Sequence, residues 1–349
     1  MTKYIFIIGF VLTGILFVSC GGSKSEEQED SQNYATSVRI KTIGYELFDH
    51  YIEVTGSVEA INDAFISPQM NGQIKKIYVN EGDYVKQGQI LAILNTEVTQ
   101  KSIEEIKTGL ELATTTFEKQ KELWDQGIGS ELQFLQTKNQ KEQLEKRLET
   151  LEAQLRMSTI SAPFDGIVDN IMQKEGELGV PGMQMIQLIN LSRLKINADV
   201  SETYLSKINK GDTVKVEFPA YPEIQLYVPV NRTGNVVKQG NRTFEIELKL
   251  NNIENKLKPN IISVLHIKDY TQDSAFVVPS IIVKNDLKGN FLFIVEQNDS
   301  TATAKKVYVK TGKSYKDKTE ITEGLVFNNK VITAGYNIVS NGSEIEIIN

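Results

Sequence analysis

At 349 residues the chain exceeds one ordinary domain core, and at roughly 100 to 200 residues per domain it divides into two to four modest units. Hydrophobic residues at 40% and charged residues at 24% fit folded material and exclude both a disordered chain and a polytopic membrane protein. The formal net charge of -7 leaves no basic footprint for a phosphate backbone, which excludes nucleic acid as a partner.

The chain opens with Lys3 and an apolar run from Tyr4 to Val18, interrupted by Gly9, Thr13 and Gly14. That run is shorter than the roughly 20 apolar residues of a transmembrane helix, so residues 1–19 read as a cleaved export signal. Ser19-Cys20-Gly21-Gly22 resembles the lipobox of bacterial lipoproteins, with Phe17 where leucine is usual, and implies a covalent lipid on Cys20. The alternative is an ordinary signal peptide with an incidental cysteine. Cys20 is the only cysteine, so the chain makes no internal disulfide and no cysteine-based metal cluster. More than one hydrocarbon tail on it would hold the mature chain stably on a membrane. Residues 20–37, polar and acidic from Ser23 to Ser37, bury too little to fold and read as a flexible tether.

Residues 38–63 are strand-like and are expected to complete units further along the chain. Sliding the sequence against itself at an offset of 94 then exposes a duplication. Ile66 to Leu94 and Ile160 to Leu188 align without a gap. Ile66, Ser67, Gly72, Ile77, Glu81, Gly82, Gly88 and Leu94 recur as Ile160, Ser161, Gly166, Ile171, Glu175, Gly176, Gly182 and Leu188. Short apolar alternation broken at glycines predicts small strands and tight turns in both halves, 64–95 and 159–190. Gly82 and Gly176 belong in inter-strand loops. Gly72 and Gly166 sit either where a side chain would clash or where φ is positive.

Between the halves, over 96–158, the period changes. Ile103, Ile106, Leu110, Ala113, Phe117, Gln120 and Trp124 alternate by three and four, as do Phe134, Thr137, Lys141, Leu144, Leu148, Leu151 and Leu155. These are heptad seams with Glu, Lys and Gln on the outward positions. Gly127 and Gly129 end the first helix, and Ser130 with Gln133 is a capping box for the second. The spacing predicts two antiparallel helices of roughly 28 residues, about 42 Å each, and the narrow apolar stripe predicts a two-stranded coiled coil rather than a helical globule.

Past Leu188 the pattern becomes strand material, including Lys195 to Val200, Thr213 to Phe218, Thr243 to Leu250 and Ile262 to Ile267. Ser201 to Ile208 reads as a short helix within a small barrel spanning 191–270. A second strand-rich unit, 271–349, opens with Val277-Val278-Pro279.

Two half-motifs around a helical hairpin, followed by a barrel and a terminal strand unit, resemble the membrane fusion proteins, the periplasmic adaptors of tripartite efflux pumps. Local marks are Ser161-Ala162-Pro163-Phe164-Asp165-Gly166-Ile167-Val168, then Leu257-Lys258-Pro259-Asn260-Ile261 with Asn260 where glycine is common, then Val277-Val278-Pro279. The resemblance implies a mainly β, elongated multidomain chain with a lipoyl-like sandwich, a coiled-coil hairpin, a β-barrel and a membrane-proximal β domain. It implies a non-enzymatic adaptor between an inner-membrane transporter, of the resistance-nodulation-division (RND) type, and an outer-membrane channel. Copies, commonly six, would form a sheath in the periplasm, each lipid-anchored to the inner membrane. An adaptor for an ABC-type exporter or secretion system, and a structural envelope lipoprotein, are the alternatives. Family members that dock on outer-membrane ducts carry an Arg, Leu and Ser at the hairpin tip. The matching positions here are Lys119, Leu123 and Ser130, with Gly127 and Gly129 in the turn between. Lysine keeps the charge and loses the bidentate fork.

Other chemistry lacks parts. Lipoyl-like carriers of biotin or lipoate attach the group to a lysine at a hairpin turn, but here the corresponding turn carries the helices, so no cofactor is expected. His50 and His266 have no ligand at metal-binding sequence spacing and read as packing or surface residues. Met172, Met183 and Met185 offer soft thioethers, with core filling the simpler role.

Overall fold

The computed structural model describes residues 35–297 and 301–348. The expected signal peptide, Cys20 and most of the tether lie outside them. In chain order the strands are β1 (Thr36–Thr42), β2 (Tyr45–Ile66), β3 (Gly72–Ile77), β4 (Tyr84–Val85) and β5 (Ile90–Leu94). Helices α1 (Glu97–Asp125) and α2 (Glu131–Met157) follow. Next come β6 (Thr159–Ser161), β7 (Gly166–Ile171), β8 (Leu178–Gly179), β9 (Ile186–Ser201), β10 (Thr213–Phe218), β11 (Tyr221–Thr233), β12 (Thr243–Asn251) and β13 (Ile262–Pro279). The last are β14 (Lys284–Asp286), β15 (Gly289–Gln297), β16 (Ala302–Tyr308), β17 (Lys310–Tyr315), β18 (Lys318–Glu323), β19 (Lys330–Ala334) and β20 (Glu344–Ile347). The architecture is mainly β with one helical hairpin, as the sequence pattern predicts. Two compact units result, one running from Leu47 to Ser274 and the other joining the residues up to Glu46 to those from Ala275 onward.

In the larger unit the duplicated halves form one sandwich. One sheet has the order β6-β5-β3-β8, and the other is built from β2, β9, β7 and β4. The halves exchange their edges. Tyr84 and Val85 pair with Ile167 and Gly166, while Leu178 and Gly179 pair with Gln73 and Gly72. Ile74, Val85, Leu91, Leu94, Val168, Met185, Ile186 and Leu188 fill the core between the sheets. The burial pattern of residues 74–94 recurs position by position at 168–188. Hydrogen bonds repeat as well: Gly82 N–H donates to Val168 O at 2.7 Å and Gly176 N–H to Ile74 O at 2.8 Å.

The same unit holds a closed six-stranded barrel, β2-β13-β10-β11-β12-β9 and back to β2. Period-two alternation fills it with Leu194, Ile196, Ala198 and Val200 from β9 and Phe244, Ile246 and Leu248 from β12. The interior is tight enough at β2 that a Cβ on Gly56 would stand 2.7 Å from Ile196 Cγ2 and 2.8 Å from Leu265 Cδ1. Asn260 takes φ 66, a left-handed angle that asparagine tolerates better than most residues. The helix expected over Ser201 to Ile208 is a single 3₁₀ turn, Glu202–Tyr204. One turn already brings half-buried Tyr204 and buried Ile208 onto the barrel core, and Gly211 at φ 97 turns the chain into β10.

In the smaller unit β15, β16, β20, β1 and β19 close on themselves through Ile294 opposite Val331, with β14 added beside β15. The β17–β18 hairpin pairs with the end of β13, Phe276 opposite Ile321 and Val278 opposite Thr319. Val278, Ile282, Leu292 and Val331 form one core, and Val38, Phe293, Ile332 and Ile345 another. The expected tether ends too late, because Thr36 and Ser37 already lie in β1, parallel to Ile345 and Glu346. Pairing with the opposite chain terminus supplies the order that their polar composition does not.

Candidate functional site at the hairpin tip

The hairpin is fastened at its base, where Leu94 N–H donates to Ser158 O at 2.9 Å and Asn95 N–H to Gln73 O at 2.7 Å. Above it the two heptad seams face each other. Of the seam positions, Ile103, Ala113 and Leu151 are buried and the others are half-buried, apart from exposed Trp124 near the turn. Lys141 occupies a seam position by laying its stem along the interface and holding its ammonium 5.3 Å from the Phe117 ring centre. Outward faces carry helical ion pairs such as Lys101–Glu104 and Lys146–Glu149, both 2.9 Å. Each adds a few tenths of a kcal/mol at most, about 0.2–0.5, so the seam and its ends determine whether the hairpin stands.

The upper end is closed by two devices. Gly127, at φ 76, lets Gly127 N–H reach Trp124 O (2.9 Å) and Ile128 N–H reach Leu123 O (2.9 Å), a Schellman ending that satisfies carbonyls at the end of α1. Under this turn Trp124 stacks on Phe134 with ring centres 5.8 Å apart and 12° between planes, and Phe134 also meets Phe117 at 5.8 Å. Ser130 is the N-cap of α2, but its side chain makes no capping bond. Its extended backbone carbonyl instead accepts from Gln133 N–H and Phe134 N–H, so the expected capping box is not formed. Gly129, at φ 110, sets up this entry by reversing the chain immediately before Ser130.

Lys119, Leu123, Gly127, Gly129 and Ser130 are all exposed. Lys119 and Leu123 lie one helical turn apart on α1, and the backbone of Leu123 anchors the turn holding Gly127. Sequence reasoning missed their neighbours. Trp124, Ile128, Leu132 and Leu135 are also exposed, so five large apolar side chains crowd residues 123–135. Elsewhere on the two helices only Val98, Leu112 and Met157 are comparably exposed apolar residues. The signal was legible, since Ile128, Leu132 and Leu135 fall outside the heptad register. The hairpin thus ends in an apolar surface with the exposed Lys119 and Lys121 beside it on α1.

The four turn glycines divide by cause. Gly82 at φ 91 and Gly176 at φ 89 supply left-handed turns. Gly72 and Gly166 lie in strands without positive φ. A Cβ on Gly166 would sit 2.7 Å from Ile189 O, and one on Gly72 3.3 Å from Leu94.

Each histidine finds a carboxylate that sequence spacing could not reveal. His50 pairs with buried Asp269, and His266 meets Glu217 (3.1 Å) and Glu53 (3.4 Å). Lys215 first and then His266 hold the Glu217 carboxyl below its usual range. No group of three or more His, Cys, Asp or Glu able to hold a metal occurs among the described residues. Met185 is buried in the sandwich core, whereas Met172 and Met183 are exposed. Among the described residues no helix is long and apolar enough to cross a membrane.

Three family profiles match: the CzcB-like alpha-helical hairpin domain over residues 100–157, the CusB-like beta-barrel domain over 194–270, and the RND MFPs C-terminal permuted SH3 domain over 274–337. The macrolide export protein MacA of Yersinia pestis is 26% identical over 298 residues, covering 74% of this chain and 77% of that protein. The multidrug/solvent efflux pump periplasmic linker protein MepA of Pseudomonas putida is 25% identical over 345 residues, covering 93% and 88% respectively. Among solved structures, a MacA–MexA chimera containing the Pseudomonas aeruginosa MexA alpha-hairpin domain matches with a TM-score of 0.67 at 20% identity, covering 84% of this chain and 100% of that one.

Proposed function

Because the chain belongs to the membrane fusion protein family of efflux adaptors, we propose that it couples an inner-membrane transporter of the RND type to an outer-membrane channel that exports small molecules. The role is linkage rather than catalysis. The observation that carries this reading is the hairpin tip, where an apolar surface stands on a helix pair stiffened by a continuous seam and an aromatic stack. The tip is the surface for the channel, while the barrel and the terminal β domain engage the transporter. A lipid on Cys20 keeps the chain at the inner membrane from the periplasmic side.

Affinity capture of the full-length chain from solubilised envelopes tests the reading. Both a transporter and an outer-membrane channel should co-purify. Replacing residues 97–157 by a short turn should release the channel and retain the transporter. Recovery of neither partner, with drug and detergent tolerance unchanged in a deletion strain, would refute the adaptor role. Metabolic labelling with a fatty acid, abolished by Cys20→Ala, tests the anchor separately.

A further inference from the structure

Strand directions in the smaller unit gather three segments at one end of its closed sheet. β1 begins at that end with Thr36, antiparallel β19 finishes there at Ala334, and β20, parallel to β1, begins there at Glu344. β15 runs antiparallel to β19, so the β14–β15 turn, Asp286 to Gly289, lies at the same end. The entry of the chain into this unit, the 286–289 turn and the 335–343 loop therefore share one end. At the other end Ile43 bonds to Asn329, beside exposed Val326 and Phe327.

Each of the two turns lifts one aliphatic side chain into solvent. Leu287 is fully exposed and Ile338 is 72% exposed. Neither side chain makes the turn it occupies. Asp286 Oδ1 accepts from Lys288 N–H at 2.8 Å and Gly289 takes φ 131, which closes the first. In the second, Gly335 at φ 81 accepts from Ile338 N–H at 3.1 Å, while buried Val339 fastens the loop to the core. Turn positions ordinarily take Gly, Asn, Asp or Ser, so two aliphatic tips at one end are a property of the surface rather than a need of the fold. Polar and cationic groups border them. Tyr308, 41% exposed, donates its hydroxyl to Asp286 at 3.0 Å, Lys306 pairs with the same carboxylate, and Lys284 lies 5.4 Å over the Tyr336 ring. With Lys288 these lysines outnumber the carboxylates of Asp286 and Glu344, in a chain whose net charge is -7.

Aliphatic tips with a tyrosine and lysines at their margin match the layering of a bilayer surface, acyl chains beneath and phosphates above. Position argues for the same occupant. Fifteen residues separate Cys20 from Thr36, and Thr36 enters the unit at this end. We propose that this end of the terminal unit seats on the bilayer, with Leu287 and Ile338 entering the headgroup layer and Lys288 beside the phosphates. The contact rests on the reading above that Cys20 carries lipid. It adds what a lipid alone does not impose, namely which end of the unit points at the membrane.

The test uses the purified full-length lipidated chain in vesicles of phosphatidylethanolamine and phosphatidylglycerol, with no transporter present. Leu287→Cys, Ile338→Cys and, at the opposite end, Val326→Cys each carry a polarity-sensitive fluorophore, with the unaltered chain as a control for Cys20. All three side chains are exposed, so labelling should leave the thermal midpoint where it was. Emission at 287 and 338 should shift to the blue and be quenched by a lipid-borne spin label, and emission at 326 should do neither. Equal quenching at 326, or none at 287 and 338 in a chain that stays with the vesicles, overturns the proposal. A blue shift without lipid quenching assigns the surface to a protein contact and overturns it too. A second variant, Leu287→Gln with Ile338→Gln, should lose the protection from amide exchange that vesicles give residues 286–289 and 335–343, and retained protection would count against the contact. If 287 and 338 stay in water while the chain still co-purifies with transporter and channel, the seat fails and the adaptor reading stands. Absence of a fatty-acid label on Cys20 would instead remove the anchor and this contact together.

Discussion

Gln173 occupies in the second half of the sandwich the core position that Val79 occupies in the first, ninety-four residues earlier. Val79 packs into the apolar core, whereas both amide atoms of Gln173 are buried without a hydrogen-bond partner. Gly179 stands where the first half has Val85, and the longer glutamine accompanies that smaller residue.

The near-isosteric Gln173→Met should therefore stabilise the chain. Replacing an unsatisfied buried amide by an apolar group of similar volume recovers on the order of 1–3 kcal/mol of desolvation cost. Val79→Gln should do the reverse. A lower chemical denaturation midpoint for Gln173→Met would contradict this.

The glycines predict a ranking. Gly176→Ala meets open space and is strained only by its left-handed φ, at about 1–2 kcal/mol. Gly166→Ala forces a Cβ to 2.7 Å from a backbone oxygen that cannot swing aside, and should cost more. Thermal melts of the two variants side by side decide it, and an equal or inverted order would contradict the close-approach account.

At the tip, Phe134→Ala removes the ring shared by Trp124 and Phe117. It loses about 0.5–1.5 kcal/mol of ring interaction beyond area burial, and amide exchange should quicken over residues 120–137. Leu132→Gln alters only an exposed side chain. Its exchange profile should match the parent while channel co-purification falls, so a loss of both together would assign Leu132 to folding instead.

Acid should loosen the β14–β15 hairpin late. The ion pair with Lys306 first, then the Lys288 N–H, holds the Asp286 carboxyl down from 3.8 to about 2. Lys306 also lies 3.8 Å over the Phe291 ring. With its folded value depressed, Asp286 stabilises fully above the ordinary carboxylate range, and that contribution fades as pH falls through about 2. Asp286→Asn should therefore lower stability near neutrality and remove part of the acid sensitivity between pH about 4 and 2. Parallel acid titrations of Asp286→Asn and the parent that run at a constant offset would exclude the pair as the cause.

What was legible in the sequence was what repeats locally. Heptads from Ile103 to Trp124 and from Phe134 to Leu155 name the seam, and the offset of 94 names the sandwich halves. Closure was hidden. Nothing in Thr36-Ser37-Val38 shows that β20 lies three hundred residues away, nor does β2 advertise its pairing with both β9 and β13, because strand partners at long range leave no local period. The tip was half visible: Lys119, Leu123 and Ser130 came from family resemblance, while Ile128, Leu132 and Leu135 stood out of register and were passed over.

The clasp between Leu94 and Ser158 separates what the helices reach from what the sandwich must do. Since both strands of the rod leave and return through adjacent bonded residues, inserting or excising one heptad in each helix would shift the tip by about 10 Å and leave every bond at the root as it was. Span can therefore be retuned to a new envelope spacing by duplication or loss of seven-residue blocks, with no penalty to the body that carries them.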